Sequence, residues 1–339
     1  MARKHNEENE RIKRQYLQFL REAKRYDTTT VDKAADAILR FEKSTGAKSF
    51  KRFHIEQAVA FKRQLEGERN IRTGKPLSKA TIDGTLRAVK AFVLWLAGQP
   101  GYKSRISYAD AEYFNLNAKD VRVAHADRDA PFPTMEQCHH AFSMMPELTE
   151  IDRRNKALFA FLMLTGARDG AVASLRLKRI DLVQACVYQD ARDVKTKFSK
   201  TFTTWFFPVG QDYLYCFTTW VKHLRQDLLF GNDDALFPKP LIKQVDGAFC
   251  VVGLSRETYR DASTVREVVK NAFVNAGLPV FAPHSFRKTL VKHGDQVCKT
   301  REQFKAWSQN LGHDSVVTTL SAYCPVSKER QAELIRGLA

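Results

Sequence analysis

Between residues 115 and 133 the chain reads NLNAKDVRVAHADRDAPFP, and the helical rhythm of apolar residues found before and after this stretch is lost within it. Its polar content and its two prolines mark it as a connection between folded parts. At 339 residues the chain is too long for one ordinary core, and a break here agrees with a length of roughly 150 residues per domain. The expected organisation is a leader over 1–24, a helical domain over 25–118, a linker over 119–131 and a second domain over 132–339.

The part before the break is helical in pattern. Residues 1–28 are densely charged and read as a leader or a first helix. Thr30 can cap a helix in which Val31, Ala34, Ala35, Ile38 and Phe41 recur until Gly46. A further helix over 53–66 turns Ile55, Ala58, Val59 and Leu65 inward. After the loop EGERNIRTGKPLS, Ser78 opens a helix whose apolar face is Ile82, Leu86, Val89, Val93 and Leu96, and Gly98 closes it. This half is therefore expected to be a small helical bundle. Lys62, Arg63, Arg72, Lys75, Lys79, Arg87 and Lys90 lie on its outward positions. Any one of them is ordinarily a solvated surface residue. As a set around a Gly/Pro loop and the helix after it they form a candidate major-groove surface, with Lys75, Lys79, Arg87 and Lys90 as DNA contacts.

Beyond the break, Thr134 with Gln137 makes a capping box, and the apolar run NKALFAFLMLTG stops at Gly166 with Arg168 directly after it. The β character of the chain is confined to three runs beyond that arginine. Residues 185–188, 193–197 and 201–209 are rich in Val, Thr, Phe, Trp and Tyr and are expected to form a three-stranded antiparallel meander, with KTKFSKT at the last turn. Helices resume over 214–229 and 263–276, the latter burying Val265, Val268, Val269, Ala272 and Phe273. Residues 232–258 read as loop, and Ser327 caps a short last helix. The fold class expected is mainly α in two domains: a helical bundle, then an α+β domain with a small three-stranded antiparallel sheet.

Lys and Arg number 55 against 38 Asp and Glu, a net charge of +17, with a pI near 9.6. Such an excess spread over both halves points to a nucleic acid, because each phosphate neutralised releases counterions. No run of about 18 apolar residues occurs and the charged start lacks a signal-peptide core, so the expectation is a cytoplasmic protein without a membrane partner. The six cysteines are scattered with no CxxC pair and read as reduced thiols. Cys138-His139-His140 raises a zinc reading, but adjacent helical residues point apart and no second ligand pair succeeds it. No metal or cofactor is expected.

The stretch HSFRKTLVKHGDQVCKTREQFKAWSQNLGHDSVVTTLSAY, from His284 to Tyr323, concentrates the reactive side chains. His284 and Arg287 stand three apart, so a helix starting near Pro283 puts both within reach of one ligand. A phosphodiester repels nucleophiles, so a site that attacks one must bind its nonbridging oxygens and neutralise the charge of the transition state. Guanidinium groups do this with a permanently charged planar fork, and Arg168 and Arg287 are the candidates, with His313 adding a hydrogen bond. Tyr323 would attack through its phenolic oxygen, whose ordinary pKa of about 10 calls for help in losing its proton. For each of these residues taken alone, a core or surface role is the commoner explanation. Together they are much harder to dismiss.

In order and spacing they resemble the tyrosine recombinases, the phage-type integrases and Xer-like resolvases. TGARDG is similar to the family's first arginine box, TKFSK to its lysine hairpin, HSFR to its His-x-x-Arg box, and LGHDSVVTTLSAY to its second histidine and nucleophile. The resemblance covers residues 160–326, and the helical half fits the family's SAM-like core-binding domain. It implies a site-specific recombinase that forms a 3′-phosphotyrosine without metal or ATP, His284 assisting the nucleophile and Lys197 protonating the leaving 5′ oxygen. Lys195 and Lys200 remain alternatives for that proton, and as lysines of a hairpin tip that can reach into a groove they are also expected DNA contacts. It further implies duplex DNA with inverted half-sites as partner, a dimer on each site and a tetramer in the synapse, at the nucleoid. The chain departs from the family at Ala171, where an acidic residue is usual and for which Asp169 or Asp181 could substitute. Two other readings use the same residues: a type IB topoisomerase, and a DNA-binding regulator without catalysis.

Overall fold

A computed structural model describes residues 6–71, 73–126, 131–196, 200–313 and 328–337. The chain divides into two compact units, residues 1–128 and 129–339.

The first unit contains helices α1 (Glu7–Glu22), α2 (Thr28–Ser44), α3 (Ile55–Gly67), α4 (Lys79–Ala97) and α5 (Ala118–His125). The inward faces of α2 and α4 hold Val31, Ala34, Ile38 and Phe41 against Ile82, Leu86, Val89, Val93 and Leu96, while Phe61 of α3 enters where Ile55 and Val59 do not. Three expectations change. Asp27, not Thr30, caps α2, its carboxylate accepting from the Thr30 N–H at 2.8 Å. Residues 7–22, read as a leader or a first helix and placed ahead of the helical domain, form α1, with Ile12, Tyr16 and Leu20 in its core. Its pattern is hard to see because two inward positions are polar. Asn9, fully buried, donates to Glu42 Oε1 and to the Lys48 carbonyl, both at 2.9 Å, and accepts from the Phe50 N–H at 3.0 Å. Lys13 Nζ reaches Glu42 Oε2 at 2.5 Å, so α1 is tied to α2 by a satisfied buried network. Finally, part of the stretch read as linker is α5, capped by Asn117 and held to α4 by Asp120 on Lys79 at 2.8 Å.

The second unit contains α6 (Met135–Ser143), α7 (Glu150–Thr165), α8 (Asp169–Ser174), α9 (Gln211–Lys222), α10 (Ser263–Asn275), α11 (Ser285–Val297), α12 (Arg301–Asn310) and α13 (Lys328–Arg336). Thr134 and Gln137 form the capping box that opens α6. Helix α7 is central: residues 157–165 are all buried, and Phe159 packs with Phe142, Phe273 and Phe286 from three other segments. A helix apolar on every side needs such a position.

Strands β1 (Ile180–Asp181), β2 (Cys186–Gln189) and β3 (Phe202–Trp205) form the expected three-stranded antiparallel sheet, in that order, with Ile180 opposite Val187 and Val187 opposite Thr204. Of the run expected as a strand over 193–197, the described residues 193–196 supply none of its strands. Asp190 turns the chain there: its carboxylate accepts from the Arg192 N–H at 3.0 Å and its carbonyl from Val194 at 2.8 Å. A second sheet lies where a loop is expected, β4 (Pro240–Val245) pairing with β5 (Ala248–Leu254). Asp246 and Gly247, at φ 50° and 80°, form its two-residue turn. The Asp-Gly pair between apolar residues is the sequence signal for this hairpin.

Candidate active site

Three segments meet around Arg287. The residue is 2% exposed: Nη1 donates to the Gly166 carbonyl at 2.7 Å, and Nη2 to the Leu311 carbonyl at 2.5 Å and to His313 Nε2 at 2.9 Å. Arginine has no acceptor, so Nε2 must accept and the neutral ring carries its proton on Nδ1. Two glycines allow this approach. Gly166 ends α7 at φ 58°, where a Cβ would lie 2.7 Å from Leu311 and 2.9 Å from Leu290. Gly312 sits at φ 74° with the Phe202 ring 2.8 Å from where a Cβ would be. Asn310 adds a clamp that sequence reading misses: its side chain donates to the Trp205 carbonyl and accepts from the Trp205 N–H, both at 2.8 Å, tying the end of α12 to β3. An Asn just before the Leu-Gly-His motif is the only trace of this in the sequence.

The His313 ring is buried, and its pKa is lowered from the usual 6.5 to about 4, first by burial and then by Arg287, Arg168, His284 and Lys200. Among the described residues, the leading groups bearing on this ring are thus all basic side chains. Arg168, half-buried at the N-cap of α8, makes no side-chain hydrogen bond or ion pair among the described residues. His284 is exposed at the N-cap of α11, in the first turn of which Arg287 points inward. Helix α11 thus begins near Pro283, as expected, but its first turn sends one member of the pair to the surface and the other to the interior.

The three lysines differ. Lys195 Nζ donates to the Arg260 carbonyl at 2.5 Å. Lys200 contributes to the field at His313. Lys197 and Tyr323 lie outside the described residues. Neither Asp169 nor Asp181 supports Arg168 in place of the acidic residue expected at position 171. Ala171 itself is fully buried, Asp169 accepts from Arg266 Nε at 2.6 Å, and Asp181 accepts from the N–H groups of Val183 and Gln184, each at 2.9 Å. Asp190 instead organises the approach to the lysines, held far below the usual carboxylate range by hydrogen bonds from Arg192, with Arg179 at 3.2 Å. Among the described residues no three His, Cys, Asp or Glu side chains are grouped to hold a metal ion. Cys138 is a core thiol, pushed up to about 12 by burial.

Residues 134–330, more than half of the chain, match the phage integrase family. The chain belongs to that family. Tyrosine recombinase XerD of Pasteurella multocida (strain Pm70) is 24% identical over 185 residues, 54% of this chain and 54% of that protein. The chain therefore aligns with about half the length of this curated relative. Two solved structures share the integrase fold over nearly the whole chain. The Tn1549 transposon integrase in complex with transposon right end DNA has a TM-score of 0.62 at 17% identity, covering 97% of this chain and 99% of that one. A lambda integrase dimer bound to a COC′ core site has a TM-score of 0.62 at 13% identity, covering 93% and 94%.

In the first unit of this integrase-family chain, the four cations named as DNA contacts fall into two pairs. Lys79 is engaged by Asp120 and Glu66, and Lys90 by Glu112 and Asn115, at 2.8 to 3.3 Å. Lys75 is exposed with no ion pair among the described residues, and exposed Arg87 has only a loose contact with Asp83 at 3.8 Å. No helix among the described residues is long and apolar enough to cross a membrane.

Proposed function

We propose that this chain cuts and rejoins duplex DNA at a specific site through a covalent 3′-phosphotyrosine at Tyr323. The observation that carries this reading is the convergence, among the described residues, of Arg287, Arg168 and Lys200, with His284, on His313, a concentration of basic side chains that a scissile phosphate would complete. Arg168, with no protein partner among the described residues, is the arginine available to a nonbridging oxygen. Arg287 fixes the His313 ring through Nε2, leaving the Nδ1 proton to donate to the same phosphate. His284, exposed at a helix start, assists the tyrosine. A lysine of the β2–β3 connection returns a proton to the departing 5′ oxygen: Lys197 by its place in TKFSK, or Lys200, which among the described residues acts on His313. The phosphate bond energy stays in the phosphotyrosine, so a 5′ hydroxyl from another strand can reverse the step.

The first unit would serve as the core-binding domain and the second as the catalytic domain. Inverted half-sites, a dimer on each site and a tetramer at synapsis derive from the family reading, with action at the nucleoid in the cytoplasm. The XerD relative is named a tyrosine recombinase, and the two integrase structures hold DNA, one of them as a dimer. The test is a suicide substrate carrying a nick beside the scissile phosphate. The native chain should become trapped on DNA, and Tyr323→Phe should bind equally and give no adduct. Adducts that persist in Tyr323→Phe would overturn the assignment.

A further inference from the structure

The β4–β5 ribbon stands bare. Phe249 is 80% exposed, Ile242 and Val251 56% each and Val252 45%, so apolar side chains face solvent on both sides of a two-stranded sheet. An isolated ribbon of this kind is marginal in water. Its base is firmly anchored. Buried Arg154 donates to the Pro238 carbonyl at 2.8 Å and to Tyr259 Oη at 2.6 Å, the Ser255 N–H donates to the Lys239 carbonyl at 2.8 Å, and Leu254 packs on the core. Arg154 lies in the first turns of α7, and Gly166 closes the other end of that helix about 18 Å away along its axis. The ribbon is therefore rooted away from the cations around His313.

Its two edges are unlike. Strand β4 carries Pro240 and Lys243, residues that discourage strand addition, whereas residues 248–254, AFCVVGL, hold no charge and no proline. In a hairpin closed by a two-residue turn, the pair flanking the turn, Val245 and Ala248, exchanges both hydrogen bonds, and later pairs alternate as far as Ile242 and Val251, beyond which the extra residue Val252 on β5 shifts the register. The main-chain groups of Phe249 and Val251 therefore point outward, to an edge that β4 does not cover.

We propose that this edge of β5 pairs antiparallel with β5 of a second copy of the chain, joining two ribbons into one four-stranded sheet. DNA is a poor occupant, since residues 240–254 offer phosphate a single lysine, offset by Asp246. A copy fits on charge. Two chains of net charge +17 repel, and a ribbon of no net charge is where they can approach. An identical uncharged edge is also its own complement about a twofold axis. The choice of a second copy rests on the proposed strand exchange, which needs several copies together, and the contact is too small to hold a dimer by itself at low concentration.

Exposed Cys250 gives the readout. Treating the full chain with a flexible bismaleimide should yield a covalent dimer that is lost in Cys250→Ala. It should also be lost in Val251→Pro, which removes an outward N–H and leaves the β4 ladder intact. If Val251→Pro unfolds by circular dichroism, Val251→Lys, which keeps the N–H and sets like charges face to face, should lose the dimer instead. A folded variant that cross-links as well as the native chain would overturn the proposal. So would a native chain with no Cys250-dependent dimer, or hairpin variants that weaken DNA binding while cross-linking is unchanged. The Tyr323→Phe protein should cross-link normally. Cross-linking without DNA adducts in the native chain would leave the ribbon contact standing while the recombinase reading fails, and adducts without cross-linking the reverse.

Discussion

A buried histidine flanked by basic side chains is held neutral, and for His313 this has a thermodynamic signature. The unfolded chain takes up a proton at this residue near pH 6.5, the folded chain only near 4, so the unfolded state binds the proton preferentially. The contribution of the neutral ring to stability is therefore full above about pH 6.5 and is lost as pH falls from there to about 4, below which the loss levels off. The shift corresponds to at most about 3 kcal/mol. Denaturant melts across that window should fall more steeply for the native chain than for His313→Gln, whose side chain does not titrate. Equal slopes would mean that the ring is already protonated in the folded state. A bound phosphodiester should act in the opposite direction, since its charge offsets Arg168 and Arg287 and favours the imidazolium.

At the scale of elements, the clearest test concerns α1. Glu42 joins Lys13 and Asn9 in a pocket from which water is excluded, and Glu42→Ala leaves Lys13 with only Glu10 as partner. A buried cation deprived of one of its two carboxylate partners should cost about 3 kcal/mol, seen as a lower denaturation midpoint and as faster proteolysis within residues 7–22. A loss below about 1 kcal/mol would place α1 outside the cooperative unit. The same helix shows how much of the fold the sequence discloses. Helix α4 is legible because seven of its eight buried positions are apolar, Asp83 being the exception. Helix α1 is not, because Asn9 and Lys13 occupy core positions that only a tertiary partner, Glu42, makes tolerable. The sheet behaves similarly. Its strands β2 and β3 agree with composition, whereas residues 193–197 look extended until Asp190 is seen turning the chain. In the site, the residue types and their order are readable from the motifs, and so is the His313 acceptor of Arg287, but its two other acceptors are main-chain carbonyls of Gly166 and Leu311, and no side-chain pattern reports them.

For the whole molecule, the excess of positive charge has to be divided between cations that hold the fold and cations left for a ligand. In the first unit the ion pairs make that division. Lys79 and Lys90 hold α5 and the segment around Glu112 onto α4, so their charge is already partly answered, while Lys75 and Arg87 face solvent. Binding to duplex DNA should weaken with salt at a slope of about 0.9 per phosphate neutralised. If Lys75 and Arg87 meet phosphates, Lys75→Ala and Arg87→Ala should each lower that slope by about 1 and weaken binding evenly across sequences, with little change in melting. Lys79→Ala and Lys90→Ala should do the reverse, lowering stability by up to about 1 kcal/mol and leaving the slope nearly unchanged. A slope that falls with Lys79 or Lys90 and not with Lys75 or Arg87 would mean that Asp120 and Glu112 release their lysines when DNA arrives. Helix α5 would then be a segment that DNA displaces from α4.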